Sequence, residues 1–242
     1  MDAKVRLYVD QPLGQGQAVA VGPDQASYLF SVMRLVAGDG VLLFNGRDGE
    51  WLARVQDAGK RRGAMVCEAQ TRLQGQSPDL WLLFSPVKKE RTNFIVEKAV
   101  ELGVARVIPV TMRYTNSDRW RDDKQRAHAI EAAEQCGSTV VPEMDDMRPL
   151  DRVLAQWPEG RVLIWADESL TGGGSPLTGI IAKGTPSAIL IGPEGGFSAE
   201  EKARLRALPF VRPISLGPRI LRAETAAVAA LVLWQASVGD WQ

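Results

Sequence analysis

The stretch "LIGPEGGFSAEE", residues 190–201, decides the fold, because an apolar strand-like run stops at a Gly-Pro pair and crosses two more glycines. Ser198 is followed three residues later by Glu201, which is the signature of a capping box, so a helix is expected to open directly after the loop. A second stretch, "SLGPRILRAETAA" at 215–227, again places Gly-Pro after an apolar run. Both stretches predict a strand, then a glycine-containing turn, and then a helix.

The same rhythm of strand and helix continues from residue 80 to the end. Apolar runs predict strands at 80–84, 106–110, 161–166, 187–192 and 211–217. Helical segments are expected between them, near 90–102 and 119–136. This alternation predicts an α/β fold with a parallel sheet that carries helices on both faces.

In such a sheet, ligands bind beyond the carboxyl ends of the strands. We therefore expect the loops after the strands to gather at one edge, with the two glycine loops on adjacent strand ends. These loops are residues 85–91, 111–119, 167–169, 192–197 and 217–224.

Residues 1–72 have a different pattern, with short β-rich runs at close spacing that predict a small β-barrel. One helix-like piece, "DQASYLFSVMRL", interrupts them, with Asp24 as its expected N-cap. The polar segment "LQGQSPD" at 73–79 is the expected linker. Two domains are therefore predicted, an N-terminal β-barrel at 1–72 and a second domain at 78–242.

Composition narrows the function classes. The formal net charge of the 242 residues is +0, so contact with nucleic acid has to come from a local patch. The one histidine, His128, lies in a predicted helix, and Cys67 and Cys136 form no C-x-x-C pair, which disfavours histidine-based hydrolases, a disulfide framework and a metal site. The longest apolar run, 226–234, is too short to span a bilayer, so we expect a cytoplasmic protein without a membrane partner.

The glycine loops lack the motifs of a phosphate cradle, because neither G-x-G-x-x-G nor G-K-[ST] is present. Glycines leave no Cβ in the way, so peptide groups can touch the edge of a flat heterocycle. Glu194 would suit a cationic ligand. Taken singly, each loop could equally be a tight turn between a strand and a helix.

Together, the two glycine motifs resemble those of the RsmE family of small-subunit ribosomal RNA uracil-N3 methyltransferases, which belongs to the knotted SPOUT class. "KKERTNFIVEKAVELGV" at 88–104, "IEAAEQCG" at 130–137 and "VMRLVAGDGVLLFNG" at 32–46 extend the resemblance over almost the whole chain. Ser138 and Gln25 depart from it, because the family usually shows arginine and histidine there.

The resemblance implies a trefoil knot in the C-terminal domain and a PUA-like, RNA-binding N-terminal barrel at 1–72. It also implies S-adenosylmethionine as cofactor, without a metal. Asp167 and Glu168 would meet the ribose hydroxyls or the sulfonium. The cofactor-binding residues that it implies are Leu190, Ile191, Gly192, Pro193, Glu194, Gly195, Gly196, Leu216, Gly217, Ile220, Leu221, Thr225 and Ala226.

Methylation of uracil N3 requires loss of its proton while negative charge spreads onto O2 and O4. Arg222 is the expected stabiliser of that charge, because its fork of donors suits two carbonyl oxygens. Glu224 could accept the proton, or could instead favour the dipole of the following helix. Glu224 or Thr225 is also expected to cap that helix. The candidate RNA-binding residues are Arg34, Lys88, Arg91, Arg113, Arg119 and Arg219.

The apolar helix after "RILRAET" is expected to be buried on every side, which favours a homodimer. The expected RNA partner is the small-subunit ribosomal RNA, within the assembled subunit. Three alternatives remain: a SPOUT methyltransferase acting on another RNA base, an RNA-binding protein without catalysis, and a nucleotide-dependent oxidoreductase.

Overall fold

The structure is a computed structural model that describes residues 3–117, 120–171, 173, 177, 179 and 181–241. The chain forms two compact units. The first contains the described residues up to Gln76 together with Ala133–Val141, and the second contains Ser77–Ala132 and Pro142 onwards. The sequence prediction assigned residues 133–141 to the second domain, whereas here they cluster with the first.

The first unit is built on a mixed sheet. Its strands are β1 (Ala3–Tyr8), β2 (Ala18–Val21), β3 (Gly40–Phe44), β4 (Glu50–Ala58) and β5 (Gly63–Arg72), in the order β1-β3-β4-β5-β2. The β1–β3 pair is parallel and the other pairs are antiparallel. Alternate residues such as Val41, Leu43 and Met65 are fully buried in its core.

A short helix interrupts this sheet, as the sequence predicted, but its start differs. Helix α1 (Pro23–Ala26) has Gly22 as N-cap, and it continues as a π-helical segment over Ser27–Val32. Asp24 is therefore inside the first turn and is not the cap. Pro23 explains the difference, because proline favours the first helical position, where no N–H donor is needed.

A hydrogen-bonded network around the buried carboxylate of Glu50 stabilises the first unit. The Glu50 side chain is 4% exposed and accepts hydrogen bonds from Arg6 Nε at 2.7 Å, Thr71 Oγ1 at 2.9 Å and Arg72 Nε at 3.1 Å. Arg6 also donates to the backbone carbonyls of Ala133, Glu134 and Ser138. Burial alone would raise the pKa of Glu50, but the hydrogen bonds from Arg72, Arg6 and Thr71 outweigh it and lower that pKa to about 2.

The second unit is built on a parallel sheet. Its strands are β6 (Leu80–Phe84), β7 (Arg106–Thr111), β8 (Glu143–Met144), β9 (Arg148–Pro149), β10 (Val162–Ala166), β11 (Ser187–Ile191) and β12 (Val211–Ile214). The order is β12-β10-β11-β6-β7-β8, with β9 also paired to β7, and each pair is parallel. The predicted α/β class and its main strands are confirmed, whereas the trefoil knot stays a prediction.

Helices cover this sheet on both faces. They are α2 (Lys89–Glu101), α3 (Asp122–Cys136), α4 (Leu150–Ala155), α5 (Ala199–Ala207) and α6 (Ala223–Val238). Leu83, Leu163 and Leu190 face a core that contains residues of α4 and α5. Because successive strand residues alternate, Leu82 and Ile189 face the opposite side, where α6 packs against α2 and β11.

Helix α6 is only partly enclosed within the single chain, so its burial on every side, which the sequence linked to a homodimer, stays a prediction. Ala227, Leu231 and Trp234 are buried, but Leu233 is 40% exposed. The apolar composition of the helix did not reveal which face the second unit would leave uncovered. None of the helices in the described part of the chain is both long enough and apolar enough to cross a membrane.

Candidate cofactor and active site

A cavity of about 450 Å³ opens at the carboxyl edge of the parallel sheet. It brings together the start of α2, the end of β10 and both glycine loops, as the strand–loop pattern predicted. Its described lining is Arg91, Ala166, Glu168, Ile191, Gly192, Pro193, Glu194, Gly195, Gly196, Phe197, Ile220, Leu221, Arg222, Ala223 and Ala226.

A smaller cavity of about 50 Å³ adjoins it and shares Ala166, Glu168, Ile220, Leu221 and Ala226 with it. The smaller cavity adds three further candidates from the second glycine loop, Leu216, Gly217 and Arg219. Its own described residues are Asp167, Thr171, Ser215, Leu216, Gly217 and Arg219.

Two of the predicted cofactor residues lie elsewhere. Leu190 is fully buried within β11 and packs into the core, and Thr225 is exposed on α6. Among the described residues, neither belongs to the lining of either cavity. The loops of both motifs line the cavities, but strand alternation turns Leu190 away from the sheet edge and helical rotation turns Thr225 outwards.

The sequence predicted that the two glycine loops follow adjacent strands, but in the structure they do not. They follow β11 and β12, and β10 lies between these strands in the sheet. The end of β10 therefore stands between the loops, which explains why Ala166 and Glu168 line both cavities.

The first glycine loop is packed too closely for side chains at two positions. A Cβ on Gly195 would lie 2.9 Å from Cβ of Tyr114. Gly196 has φ of +71°, and a Cβ there would lie 2.7 Å from Oε1 of Glu168. Glycine is therefore needed at both positions for backbone conformation or space. The capping box predicted after this loop is confirmed, since Ser198 and Glu201 exchange hydrogen bonds at the start of α5.

The end of β10 carries two carboxylates with different surroundings. Asp167 is buried, and its oxygens accept hydrogen bonds from Ser169 and from Arg206 Nη2 at 2.7 Å. Glu168 Oε1 pairs with Lys202 Nζ at 2.8 Å and accepts the Phe197 N–H at 3.3 Å. Glu168 therefore holds the first glycine loop in place while it lines both cavities.

Arg91 bridges the two glycine loops. One of its Nη groups donates to Glu194, and its Nε lies 3.5 Å from Oε1 of Glu224. Its side chain is one-third exposed and lines the larger cavity. The sequence predicted Arg91 as an RNA contact, but in this structure its guanidinium is engaged by these two carboxylates.

The beginning of α6 differs from the sequence prediction in one respect. Arg222 is the N-cap residue, so Glu224 and Thr225 lie within the first turn and neither caps the helix. Arg222 is exposed and lines the larger cavity. The Glu224 side chain is 15% exposed, and its Oε2 is buried without a hydrogen-bond partner in the described structure.

The other RNA-binding candidates occupy different places. Arg34 is exposed in the first unit and has φ of 57°. Lys88 is the exposed N-cap of α2, Arg113 is exposed after β7, and Arg219 is exposed on the lining of the smaller cavity. Arg119 lies outside the described residues.

The individually expected cofactor residues did not include Ala166, Phe197 and Ala223, although each lines the larger cavity. Phe197 and Ala223 do lie within the loops 192–197 and 217–224 that were expected to hold a ligand. Ala166 ends a predicted strand, so its position at the sheet edge was a usable signal. Phe197 packs its ring against Trp165 at 5.4 Å, and a Cβ on Gly192 would meet that ring at 2.6 Å. In the described parts of the chain, no group of three or more histidine, cysteine, aspartate or glutamate residues could hold a metal ion.

Comparison with known proteins gives consistent matches. The chain is 28% identical to the ribosomal RNA small subunit methyltransferase E of Rickettsia conorii, over 93% of each chain. The crystal structure of the corresponding Neisseria gonorrhoeae protein, bound to S-adenosylmethionine, matches with a TM-score of 0.87 at 28% identity, covering 98% of this chain and 99% of that one. A methyltransferase structure from Legionella pneumophila with the same cofactor bound matches with a TM-score of 0.86 at 29% identity and 98% coverage of both chains.

Two family models match the chain. The model for an RNA methyltransferase PUA domain covers residues 21–63, within the first unit. The model for an RNA methyltransferase domain covers residues 75–235, which is more than half of the chain and includes every loop of the cavity. The protein therefore belongs to the RNA methyltransferase family.

Proposed function

We propose that the protein transfers a methyl group from S-adenosylmethionine to N3 of a uridine in small-subunit ribosomal RNA. The observation that carries this proposal is the cavity where both glycine loops meet Arg222 in an RNA methyltransferase fold. The relatives named as small-subunit ribosomal RNA methyltransferases support the substrate class. The uracil N3 acceptor rests on the resemblance of the two glycine motifs.

The cavity suits the cofactor in size and chemistry. Its volume of about 450 Å³ lies within the usual range for small-molecule sites. Its walls combine glycine backbone with the carboxylates of Glu168 and Glu194, which complement a sulfonium cation and an amino group. The residues that would hold the cofactor are Ile191, Gly192, Pro193, Glu194, Gly195, Gly196, Leu216, Gly217, Ile220, Leu221 and Ala226.

Glu168 is the better candidate for the ribose hydroxyls. Both oxygens of Asp167 are already used by Ser169 and Arg206. The recorded contacts of Glu168 use its Oε1, with Lys202 and the Phe197 N–H. Glu168 can therefore accept a further hydrogen bond, while Asp167 supports the end of β10.

Arg222 would stabilise the charge that develops on the pyrimidine. S-adenosylmethionine supplies an electrophilic methyl group when it is bound. Arg222 is exposed at the N-cap of α6 and forms no ion pair with a described residue, so its donors are available to the uracil oxygens. Such stabilisation lowers the barrier because the charge is greater in the transition state than in the substrate.

Glu224 would accept the N3 proton. Its buried Oε2 has no partner among the described residues, whereas its Oε1 faces Arg91. Glu224 lines neither cavity and its Oε2 is buried, so the proton from the N3–H bond would reach Oε2 through a bridging water. The electron pair left on N3 would form the new bond to the methyl carbon, while the bond between that carbon and sulfur breaks and sulfur keeps its electron pair. Arg91 would keep Glu224 oriented through the transfer.

We also propose that the protein acts in the cytoplasm on the assembled small subunit, as a homodimer. The exposed Leu233 on α6 supports the dimer, because a second copy could cover this apolar side chain. The zero formal net charge supports the assembled subunit as substrate, since the chain has no overall basic field to attract free RNA.

The test is direct. The protein is incubated with methyl-labelled S-adenosylmethionine and small subunits from a strain that lacks the corresponding gene, and the labelled nucleoside is identified by chromatography and mass spectrometry. We expect 3-methyluridine in the small-subunit RNA. Label in another nucleoside would favour a different RNA target, and tight cofactor binding without any transfer would refute the proposed reaction.

A further inference from the structure

Tyr114 lies on a firmly anchored turn after β7, yet its side chain is 45% exposed. The turn is closed by the Thr115 N–H, which donates to the Met112 carbonyl at 3.1 Å. Thr115 Oγ1 in turn accepts the Met112 N–H at 2.7 Å and shares a 2.7 Å hydrogen bond with Oγ of Ser85. Ser85 is fully buried directly after β6, so the turn is fixed to the sheet.

The residue on the other side of Tyr114 is also anchored. The Arg113 N–H donates to Oε1 of Glu201 at 2.8 Å. The second oxygen of Glu201 accepts the Ser198 N–H in the capping box of α5. The backbone around Tyr114 is therefore held from β6 and from α5, and the exposed side chain is presented on a rigid support.

This side chain stands beside the first glycine loop of the larger cavity. A Cβ built on Gly195 would lie 2.9 Å from Cβ and 3.4 Å from Cγ of Tyr114. Gly195 itself lines that cavity. The Tyr114 hydroxyl forms no hydrogen bond to a residue that the structure describes, so neither burial nor a polar contact of the phenol within the fold explains this placement.

The surroundings suit single-stranded RNA. Arg113 is an exposed neighbour in sequence, and Arg222 is exposed on the lining of the same cavity. Proteins recognise unstacked RNA bases by stacking them on aromatic side chains next to positive charge. A base that is modified in a pocket also has to leave its stack, which leaves its neighbours in need of support.

We propose that Tyr114 is a stacking platform for an unstacked base of the RNA substrate, next to the nucleotide that enters the cavity. This inference rests on the proposed function for the identity of the substrate. It goes beyond that function by placing a second RNA base at a defined side chain outside the cofactor cavity.

The test compares Tyr114→Ala and Tyr114→Phe with wild type, and uses Phe94→Ala as a matched control. Phe94 is a similarly exposed aromatic residue, 39%, on α2, and it lines neither cavity in the described structure. Affinity for small subunits from the gene-deletion strain is measured by sedimentation without cofactor, and KM and kcat are measured with labelled cofactor. Cofactor affinity is measured by calorimetry.

We expect Tyr114→Ala to weaken subunit binding and raise the KM for subunits by about tenfold, a typical loss for one stacked base. Tyr114→Phe and Phe94→Ala should resemble wild type, because the first keeps the ring and the second removes a ring away from the cavity. Cofactor affinity should be unchanged in all three variants.

Wild-type subunit affinity in Tyr114→Ala would overturn the proposal, as would an equal loss in Tyr114→Phe. A change from dimer to monomer in Tyr114→Ala during analytical ultracentrifugation would overturn it too, because a second copy would then cover the ring. If subunit binding depends on Tyr114 but wild type transfers no methyl group, the proposed reaction fails and the stacking platform stands.

Discussion

The carboxylate of Glu50 offers a quantitative test of what holds the first unit together. Its pKa of about 2, against an ordinary value of 4.5, corresponds to about 3 kcal/mol of folding stability at neutral pH. Glu50→Gln keeps the shape of the side chain but removes the charge that Arg6 and Arg72 share. We therefore expect the variant to lose about 3 kcal/mol at pH 7.

The pH dependence identifies the cause. A carboxyl whose pKa is lowered on folding stabilises the folded state above its unfolded pKa, and this contribution is lost as the pH falls from 4.5 towards 2. The difference between wild type and Glu50→Gln should therefore shrink to about 1 kcal/mol at pH 3. Loss of the hydrogen-bond shape alone would give a difference that does not change with pH.

The assay has to report on the first unit alone. Hydrogen exchange of peptides from β4 and β5, followed by mass spectrometry across a urea series, provides that local stability. Glu68→Gln is the matched control, because Glu68 pairs with Arg54 at 2.9 Å but its side chain is 47% exposed. We expect the control to change stability by less than about 1 kcal/mol. A Glu50→Gln effect equal to the control, or equally large at pH 7 and pH 3, would refute the reasoning.

Arg222→Ala should lower the rate of methyl transfer by about 10²-fold and leave cofactor affinity unchanged, whereas Arg212→Ala on β12 should change neither quantity. Near-normal turnover in Arg222→Ala would remove Arg222 from the mechanism. Gly195→Val should weaken cofactor binding at least about tenfold in calorimetry, because the valine side chain would collide with Tyr114 and narrow the cavity. Unchanged cofactor affinity in a folded variant would contradict the proposal that the glycine backbone of this loop contacts the cofactor. Leu233→Glu should convert the dimer to monomer in analytical ultracentrifugation, since a charge would replace an exposed apolar contact. A wild-type protein that is monomeric at high concentration would exclude the proposed dimer.

Local sequence signals predicted much of the second unit. Apolar runs marked β6, β7, β10, β11 and β12 because buried parallel strands are apolar on both faces. Ser198 and Glu201 marked the start of α5 because a capping box needs only neighbouring residues. The loops of the cavity followed from these elements, since the carboxyl ends of parallel strands share one edge.

Features that depend on distant parts of the chain were not predictable in this way. No local pattern placed β10 between β11 and β12, because strand order depends on pairing across long separations. The charge of Arg91 was visible in the sequence, but its partners Glu194 and Glu224 lie more than a hundred residues away. Likewise, Leu190 belongs to the first glycine motif, and only the strand register showed that its side chain lies in the core.

The position of β10 between the strands of the two glycine loops has a consequence for how the binding cavity is assembled. The lining of the cavity is complete only when β10, β11 and β12 have all paired, so we expect a partly folded second unit to bind a small molecule there much more weakly than the native state. Any ligand of the cavity thus binds the native state selectively and raises the melting temperature by mass action. Because these strands pair across long stretches of chain, we expect recovery of ligand binding to be among the last events when the denatured protein refolds.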